Sequence, residues 1–252
     1  MADHDRVVLV TGAAGAIGSA LLRRFARAGA RTAGTDLVER PPPGLDVEIW
    51  GPGDVTVAAD MERVIADTVE RLGRIDVVVV NAGVTAIGGF RGTSDEVFRR
   101  VMDVNFHGAL HTARSALPTL EASSGHLVVI SSVAGFAPVA GRPAYVASKH
   151  AVTGMFESIR HELARDGIGL TLVFPTFLRT SPEDVNDSSR TARTVAGRLL
   201  TAEQVADDIV RAVDRRQPRT HPGRVSKVAR FLHRLVPSLY VRMMRRRLGD
   251  ES

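Results

Sequence analysis

The sequence predicts an α/β protein built as a single domain, with a doubly wound parallel sheet and helices on both of its faces. Strand-like apolar runs alternate with amphipathic helical runs from residue 6 to residue 174, which is typical of such a sheet. The chain has 252 residues with no internal repeat and no interdomain linker, and this length is enough to bury one large core.

The first predicted unit is a buried strand, residues 6–11, followed by a glycine turn and a helix from Ala16 to about Ala28. Glycines allow the backbone to approach a pyrophosphate, and the helix N-terminus offers N–H groups to it. The glycines are spaced differently from the common dinucleotide fingerprint, so an ordinary tight turn is the alternative. The candidate cofactor contacts in this turn are Gly12, Gly15, Ile17 and Gly18.

A second predicted strand, residues 31–35, ends at Asp36, about 20 residues beyond the glycines. A carboxylate at this position can accept hydrogen bonds from both ribose hydroxyls of NAD, and it would repel the 2′-phosphate of NADP. No arginine lies in the glycine turn or directly after Asp36, and Arg40 is the nearest one. The sequence therefore predicts NAD as the cofactor.

Tyr145 and Lys149 stand four residues apart on a predicted helix, so their side chains share one face. A nearby cation favours the phenolate, and such a pair can exchange a proton with an alcohol or ketone oxygen. Lysine is rare in this chain, since only Lys149 and Lys227 occur among 33 basic residues. An isolated pair would more often be a packed tyrosine and a solvated lysine, so its neighbours in the sequence decide the interpretation.

Together these residues resemble the short-chain dehydrogenase/reductase family in its single-domain form, over residues 6 to about 216. The resemblance implies a Rossmann-like fold and hydride transfer between NAD(H) and a secondary alcohol or ketone. In it Tyr145 is the general acid/base, and Lys149 lowers its pKa and holds the nicotinamide ribose. Ser132 fixes the substrate oxygen, and Asn105 holds a water that carries protons onward. The intervals of 27 and 13 residues between Asn105, Ser132 and Tyr145 are those of the family tetrad.

The resemblance also implies further cofactor contacts. They fall in three segments, which contact the adenine, stabilise the sheet beside the cofactor, and grip the nicotinamide carboxamide. The residues are Asp54 and Val55, then Asn81, Ala82 and Gly83, then Pro175 and Thr180. The family usually has glycine after the proline, whereas this chain has Thr176.

The predicted substrate pocket is apolar, with a polar substrate loop at about residues 181–200. Together with the chain's ending, it resembles members that act on lipophilic, steroid-like alcohols. Two alternatives stay open, namely an NADP-dependent carbonyl reductase and a cofactor-binding protein whose output is redox-dependent association. The predicted pocket residues are Val84, Phe90, Val133, Phe136 and Val139.

The sequence predicts a catalytic domain over residues 1–216 and a basic, helical extension over residues 217–252. Residues 211–252 contain 12 Arg/Lys and 3 Asp/Glu. Apolar residues recur every three or four positions from Val225 to Met243, and Pro237 divides the run. This face could pack on the domain or across a dimer, or residues 225–248 could contact an anionic membrane. Nucleic-acid binding fits least well, because only Phe231 and Tyr240 could stack on bases.

The remaining features limit the class of protein to which the chain can belong. The chain has no cysteine, and His107 and His111 lack a third metal ligand, so we expect no metal. We find no signal-like N-terminus and no run long enough to span a bilayer, so a cytoplasmic protein is expected, with membrane association at most at the surface. By resemblance, residues 105–117 and 148–165 form the interface of a homodimer or homotetramer.

Overall fold

The computed structural model describes residues 5–176, 200–240 and 242. In this part of the chain seven strands form one sheet in the order β3-β2-β1-β4-β5-β6-β7, and each neighbouring pair is parallel. The strands are β1 (Val7–Thr11), β2 (Arg31–Asp36), β3 (Ile49–Pro52), β4 (Val77–Val80), β5 (His126–Ile130), β6 (Gly169–Val173) and β7 (Arg219–Thr220).

The central strands are apolar throughout because both of their faces are covered. In β1 the side chains of Val7 and Leu9 enter the core on one side of the sheet, and those of Val8 and Val10 enter the core on the other. This alternation follows from the two-residue period of a strand. Burial on both faces explains why these strands read as continuous valine-rich runs.

Helices cover the two faces as predicted. One face carries α1 (Ala16–Arg27) and α7 (Ala202–Asp214), and the other carries α2 (Ala58–Leu72), α4 (Gly108–Ser123) and α5 (Pro143–Ser158). The remaining helices are α3 (Asp95–Met102), α6 (Arg160–Arg165) and α8 (Gly223–Leu235), with a π-helical turn over Asp103–His107 between α3 and α4. The predicted fold class, a doubly wound parallel sheet, is confirmed.

Local sequence signals place two helix ends. Gly29 lies just beyond α1 with φ +89°, a left-handed conformation that glycine adopts readily. At the start of α7 the Thr201 hydroxyl accepts a hydrogen bond from the Gln204 amide, and the Gln204 side chain accepts one from the Thr201 amide. This reciprocal pair is a capping box.

The boundary predicted after residue 216 requires correction. Arg219 and Thr220 pair with Leu172 and Val173 as the seventh strand, so the start of the extension is part of the sheet. A two-residue strand carries too little periodicity to be recognised in the sequence. The chain then enters α8, which ends at Leu235, and a further helical turn starts at Pro237. None of the helices in the described residues has the length and apolar character needed to cross a membrane.

Candidate active site

A cavity of about 2180 Å³ opens at the carboxyl ends of the central strands. There β1 lies between β2 and β4, so the chain crosses over in opposite directions on either side of it. Ligands of doubly wound sheets bind at such a crevice. The tetrad residues Ser132, Tyr145 and Lys149 line the cavity together with Gly12 and Asp36, so the predicted catalytic and cofactor sites meet in one space.

The glycine turn leaves no room for side chains. Gly12 has φ +62°, and a Cβ atom on it would lie 2.7 Å from the Ala82 Cα atom. At Gly18 a Cβ atom would lie 2.3 Å from the Gly12 carbonyl oxygen. The turn therefore folds tightly against the residues after β4, and Gly15 and Ile17 line the cavity beside it. Such a cradle fits a pyrophosphate placed at the N-terminus of α1.

Thr11 and Asn81 join this turn to the end of β4. The Thr11 hydroxyl accepts hydrogen bonds from the backbone amides of Asn81 (3.0 Å) and Ala82 (3.1 Å). The Asn81 side-chain amide donates to the carbonyl oxygens of Thr11 (2.9 Å) and Gly12 (3.0 Å). Asn81, Ala82 and Gly83 all line the cavity. The role that the resemblance gave Asn81, bracing the sheet beside the cofactor, thus corresponds to three hydrogen bonds made by Asn81 and one made by Ala82.

Asp36 ends β2 at the rim of the same cavity. One carboxylate oxygen accepts a hydrogen bond from the Ala14 amide at 2.9 Å, and the other accepts one from the Leu37 amide at 2.8 Å. These bonds fix the carboxylate next to the glycine turn and leave lone pairs for further donors. Asp54 and Val55 line the adjoining wall, where the Asp54 carboxylate accepts from the amide and hydroxyl of Thr56.

Ser132 and Tyr145 are brought together by two different elements. Ser132 follows β5 and caps a short 3₁₀ turn, Val133–Gly135, by accepting from the Ala134 amide at 3.1 Å. Tyr145 lies in the first turn of α5 and lines the cavity together with Ser132. Burial raises the pKa of Tyr145, while the Ser132 hydroxyl and the Arg142 charge act in the opposite direction. The phenol is therefore protonated at neutral pH in the protein alone, ready to donate to an oxygen that Ser132 also contacts.

Lys149 is buried beneath Tyr145. Its Nζ atom donates to the Ile130 carbonyl oxygen at 2.9 Å and lies 5.8 Å from the centre of the Tyr145 ring. Burial lowers the pKa of Lys149 to about 8. The sequence predicted that Lys149 lowers the pKa of Tyr145, but the net shift at Tyr145 in this structure is upward because burial of the phenol dominates.

Asn105 lies in the π-helical turn and is almost fully buried. Its Oδ1 atom accepts from the Val84 amide at 2.8 Å, and its Nδ2 atom donates to the Val84 carbonyl oxygen at 3.0 Å and to Ser148 Oγ at 2.8 Å. Ser148 in turn donates to the Tyr145 carbonyl oxygen. Asn105 thus connects the segment after β4 to α5 through hydrogen bonds. The sequence predicted that Asn105 holds a water and did not predict this structural role.

Three of the five residues predicted for the substrate pocket line the cavity. Val84, Val133 and Val139 line the cavity near Tyr145. Phe90 is 77% exposed and packs edge-on against Phe98, so it does not line the cavity. Phe136 packs against the rings of Phe174 and His221 instead, at 5.4 and 5.6 Å between centroids. Apolar character alone cannot tell a pocket wall from a residue that packs behind it.

The segment after β6 supports the catalytic strand end. Pro175 and Thr176 line the cavity, and the Pro175 carbonyl oxygen accepts from the Val133 amide at 3.0 Å. The predicted contact Thr180 and almost all of the predicted substrate loop, residues 181–200, lie outside the described residues. Leu200, the last residue of that range, is described and lines the cavity.

The C-terminal extension supplies a wall that the sequence did not assign to the site. The Ser226 hydroxyl donates to the Phe174 carbonyl oxygen at 2.7 Å, which fixes α8 beside the end of β6. Tyr240 packs with Val133 and Ala137 and donates to the Pro138 carbonyl oxygen at 3.2 Å. The extension residues that line the cavity include Val225, Val228, Ala229, Leu232 and Tyr240.

Arg142 also lies at the site, and the sequence did not predict it there. It precedes α5, is buried, and lines the cavity, where it donates to the Thr85 hydroxyl at 3.2 Å. Its positive charge acts on Tyr145, three residues later. The signal that could have identified it is this separation, because residues three apart at a helix start lie side by side.

The two histidines considered as metal ligands make other contacts. His107 lies 3.1 Å from an Asp103 carboxylate oxygen, and His111 lies 3.0 Å from the Val55 carbonyl oxygen. Within residues 5–176, 200–240 and 242, we find no group of three or more His, Cys, Asp or Glu that could hold a metal ion.

This geometry fits a nicotinamide dinucleotide. The glycine turn would hold the pyrophosphate, Asp36 the adenosine ribose, and Lys149 the nicotinamide ribose. When bound, the nicotinamide ring supplies or accepts the hydride. The protein's own groups would bind the substrate oxygen through Ser132 and exchange its proton with Tyr145.

Comparisons with known proteins agree with this interpretation. Residues 6–191 match the family model for short chain dehydrogenases. The chain is 31% identical to Dehydrogenase/reductase SDR family member 7B of Xenopus tropicalis, over 98% of this chain and 87% of that protein. It is 33% identical to 11-beta-hydroxysteroid dehydrogenase 1A of Arabidopsis thaliana, over 85% of this chain and 67% of that protein.

A solved structure shows the same fold. A short-chain dehydrogenase from Streptomyces avermitilis superposes with a TM-score of 0.79 at 26% identity, and the match covers 98% of each chain. The family model spans most of the chain, and the two relatives are each more than 30% identical to it over more than two thirds of its length. The chain therefore belongs to the short-chain dehydrogenase/reductase family of NAD(P)-dependent oxidoreductases, which act on CH–OH groups.

Proposed function

We propose that this protein transfers a hydride between NAD(H), in preference to NADP(H), and a secondary alcohol or ketone that has a bulky apolar body. The observation that carries the proposal is one cavity that is lined by three tetrad residues, Ser132, Tyr145 and Lys149, by an acidic residue at the end of β2 and by the apolar wall of the C-terminal extension. The acidic residue, Asp36, supports the preference for NAD over NADP, and the apolar wall supports the preference for an apolar substrate.

The preference for NAD rests on the fixed position of Asp36. Its carboxylate is held by the amides of Ala14 and Leu37, so it cannot easily turn away from a ligand. A 2′-phosphate placed beside it would meet a like charge, whereas ribose hydroxyls would donate hydrogen bonds to it. Leu37, which follows directly, offers no compensating positive charge.

The preference for an apolar substrate rests on the walls around Tyr145. Val84, Val133 and Val139 line the cavity from the catalytic domain, and α8 adds Val228 and Leu232 from the other side. Burial of apolar surface favours a ligand with matching apolar area. The relative from Arabidopsis thaliana is named as a hydroxysteroid dehydrogenase, and a steroid alcohol is one member of the substrate class we propose.

Steady-state kinetics can test both preferences. We expect a higher kcat/KM with NAD than with NADP, and a higher kcat/KM with steroid alcohols or cyclic terpene alcohols than with 2-propanol. Asp36→Ala should reduce the preference for NAD, since it removes both the hydrogen bonds to ribose and the repulsion of phosphate. A wild-type protein that prefers NADP would contradict the cofactor proposal.

Controls separate this proposal from its alternatives. Glu39→Ala removes an exposed carboxylate three residues after Asp36 and should leave the cofactor preference unchanged. A protein that binds NAD in calorimetry but turns over none of the alcohols or ketones would contradict the proposed substrate class and favour redox-dependent association. A preference for short, water-soluble alcohols would contradict the apolar substrate alone.

A further inference from the structure

Helix α8 has two apolar sides that face different surroundings. One side, with Val225, Ala229 and Leu232, lines the cavity. Phe231 and Leu235, one helical turn apart on the other side, are 62% and 60% exposed. Packing against the domain therefore accounts for only part of the apolar character of this helix.

The exposed apolar surface continues past the end of α8. Val236 and Leu239 are 41% and 43% exposed, and Val228 at the edge of the cavity is 54% exposed. We call Val228, Phe231, Leu235, Val236 and Leu239 the outer apolar row. Leaving so many large apolar side chains in water close together is unfavourable unless they are covered by a partner.

The charges around the outer apolar row have a single sign. Arg224, Lys227 and Arg234 are exposed on the same helix, and Arg242 is exposed beyond it. From residue 215 to residue 249 the sequence has 11 Arg or Lys and no Asp or Glu. Long basic side chains beside apolar ones can reach outward to negative groups while their stems lie along an apolar phase.

We propose that the outer apolar row and its basic neighbours form a docking surface for an anionic lipid bilayer, on which α8 lies parallel to the membrane plane. The apolar side chains enter the headgroup boundary, and the basic side chains contact lipid phosphate and carboxylate groups. Charge complementarity favours this partner over a second copy of the chain, because two such surfaces facing each other would repel.

The position of the docking surface also has a consequence for substrate exchange. The same helix carries the cavity wall and the outer apolar row, and Val228 belongs to both. In the docked protein the mouth of the cavity beside α8 opens at the level of the lipid headgroups. An apolar alcohol that partitions into the bilayer reaches Tyr145 without crossing bulk water. This second step rests on the proposed function, whereas the docking itself does not.

Vesicle flotation tests the docking surface without any turnover. The probes are phosphatidylcholine vesicles with and without phosphatidylserine, and the full chain is used. We expect binding to the anionic vesicles that weakens as sodium chloride is raised, and much weaker binding to neutral ones. Equal binding to both kinds of vesicle, or binding to neither, would overturn the proposal.

Two double variants divide the surface into its apolar and basic parts. Phe231→Ser with Leu235→Ser removes exposed side chains that do not line the cavity, and should abolish most of the binding. Lys227→Gln with Arg234→Gln should weaken binding roughly 30-fold, since each basic residue near an anionic surface contributes about fivefold. Phe90→Ser and Arg165→Gln are exposed, matched controls on other parts of the protein and should bind as the wild type does.

Two further measurements keep the outcome clear. Far-ultraviolet circular dichroism and turnover of a water-soluble alcohol should be unchanged in both double variants, which shows that loss of vesicle binding is not loss of the fold. If the variants instead bind vesicles normally but change the oligomeric state in light scattering, the outer apolar row contacts a second copy of the chain and the membrane proposal is wrong.

Discussion

Lys149 Nζ donates a hydrogen bond to the carbonyl oxygen of Ile130 at 2.9 Å, and this bond links α5 to the end of β5 directly below Tyr145. The Lys149 ammonium group lies in the protein interior. Burial disfavours its charged form and lowers the pKa of Lys149 to about 8. The buried ammonium group therefore lowers the free energy of unfolding, although the chemistry of the site requires this group.

Replacing Lys149 should therefore make the protein more stable and inactive. The unfolded chain holds a proton on this lysine up to about pH 10.5, whereas the folded protein loses it near pH 8. Stability of the wild type thus rises with pH between these values, and the cost of the buried charge is fully present below pH 8. Lys149→Met should raise the free energy of unfolding by about 1–3 kcal/mol at pH 7, after loss of the bond to Ile130.

Urea unfolding of the cofactor-free protein at several pH values measures this difference. The gap between Lys149→Met and wild type should shrink as pH rises from 8 towards 10.5. Lys227→Met, an exposed site, controls for the loss of one lysine and should give no such trend. A Lys149→Met protein that is less stable than wild type at pH 7 would show that the ammonium stabilises the fold.

Asn105→Ala should lower the free energy of unfolding and should also lower the turnover rate. The Asn105 side chain makes three buried hydrogen bonds, two of them to the backbone of Val84. Its loss leaves buried polar groups without partners, and we expect a decrease of about 2–4 kcal/mol in the free energy of unfolding. Thermal unfolding followed by circular dichroism measures it. Unchanged stability with lost turnover would restrict Asn105 to the water-holding role.

Assembly can be tested at Gly154 on α5. This glycine is exposed, and a Cβ atom on it would meet no other atom within 4 Å, so a side chain there does not disturb the single chain. We expect the wild type to be a dimer or tetramer paired through α4 and α5, and Gly154→Arg to dissociate it. Ala66→Arg, at an exposed position on α2, is the matched control.

Light scattering at micromolar concentration decides the assembly prediction. A monomeric wild type, or a Gly154→Arg variant with the wild-type mass, would contradict pairing through α5.

The sheet and the shared helix face of Tyr145 and Lys149 could be predicted because their signals are local, whereas Ser132 and Asn105 were identified through the family resemblance. β1 and β4 are unbroken apolar runs, the glycine turn follows one of them at once, and Tyr145 and Lys149 share a helix face through spacing alone. These features need no knowledge of distant contacts.

The errors lie where distant segments meet. Phe136 is apolar and flanks the tetrad, which predicts a pocket residue, but its ring packs against Phe174 and His221, where β6 meets the extension. β7 forms only because Arg219 and Thr220 come alongside β6. The same holds for α8, since its periodicity predicted an apolar face and could not show which side meets the cavity.

The proposed role of Tyr145 is to exchange the proton of the substrate oxygen in a cofactor-dependent reaction. Tyr145→Phe keeps the ring and removes only the hydroxyl, so kcat should fall by roughly 10³-fold or more while NAD binds in calorimetry nearly as it does to wild type. The measurement is kcat for alcohol oxidation set beside the Kd for NAD in the same preparation. A variant that keeps more than about a tenth of the wild-type kcat would contradict the assignment of Tyr145 as the general acid/base.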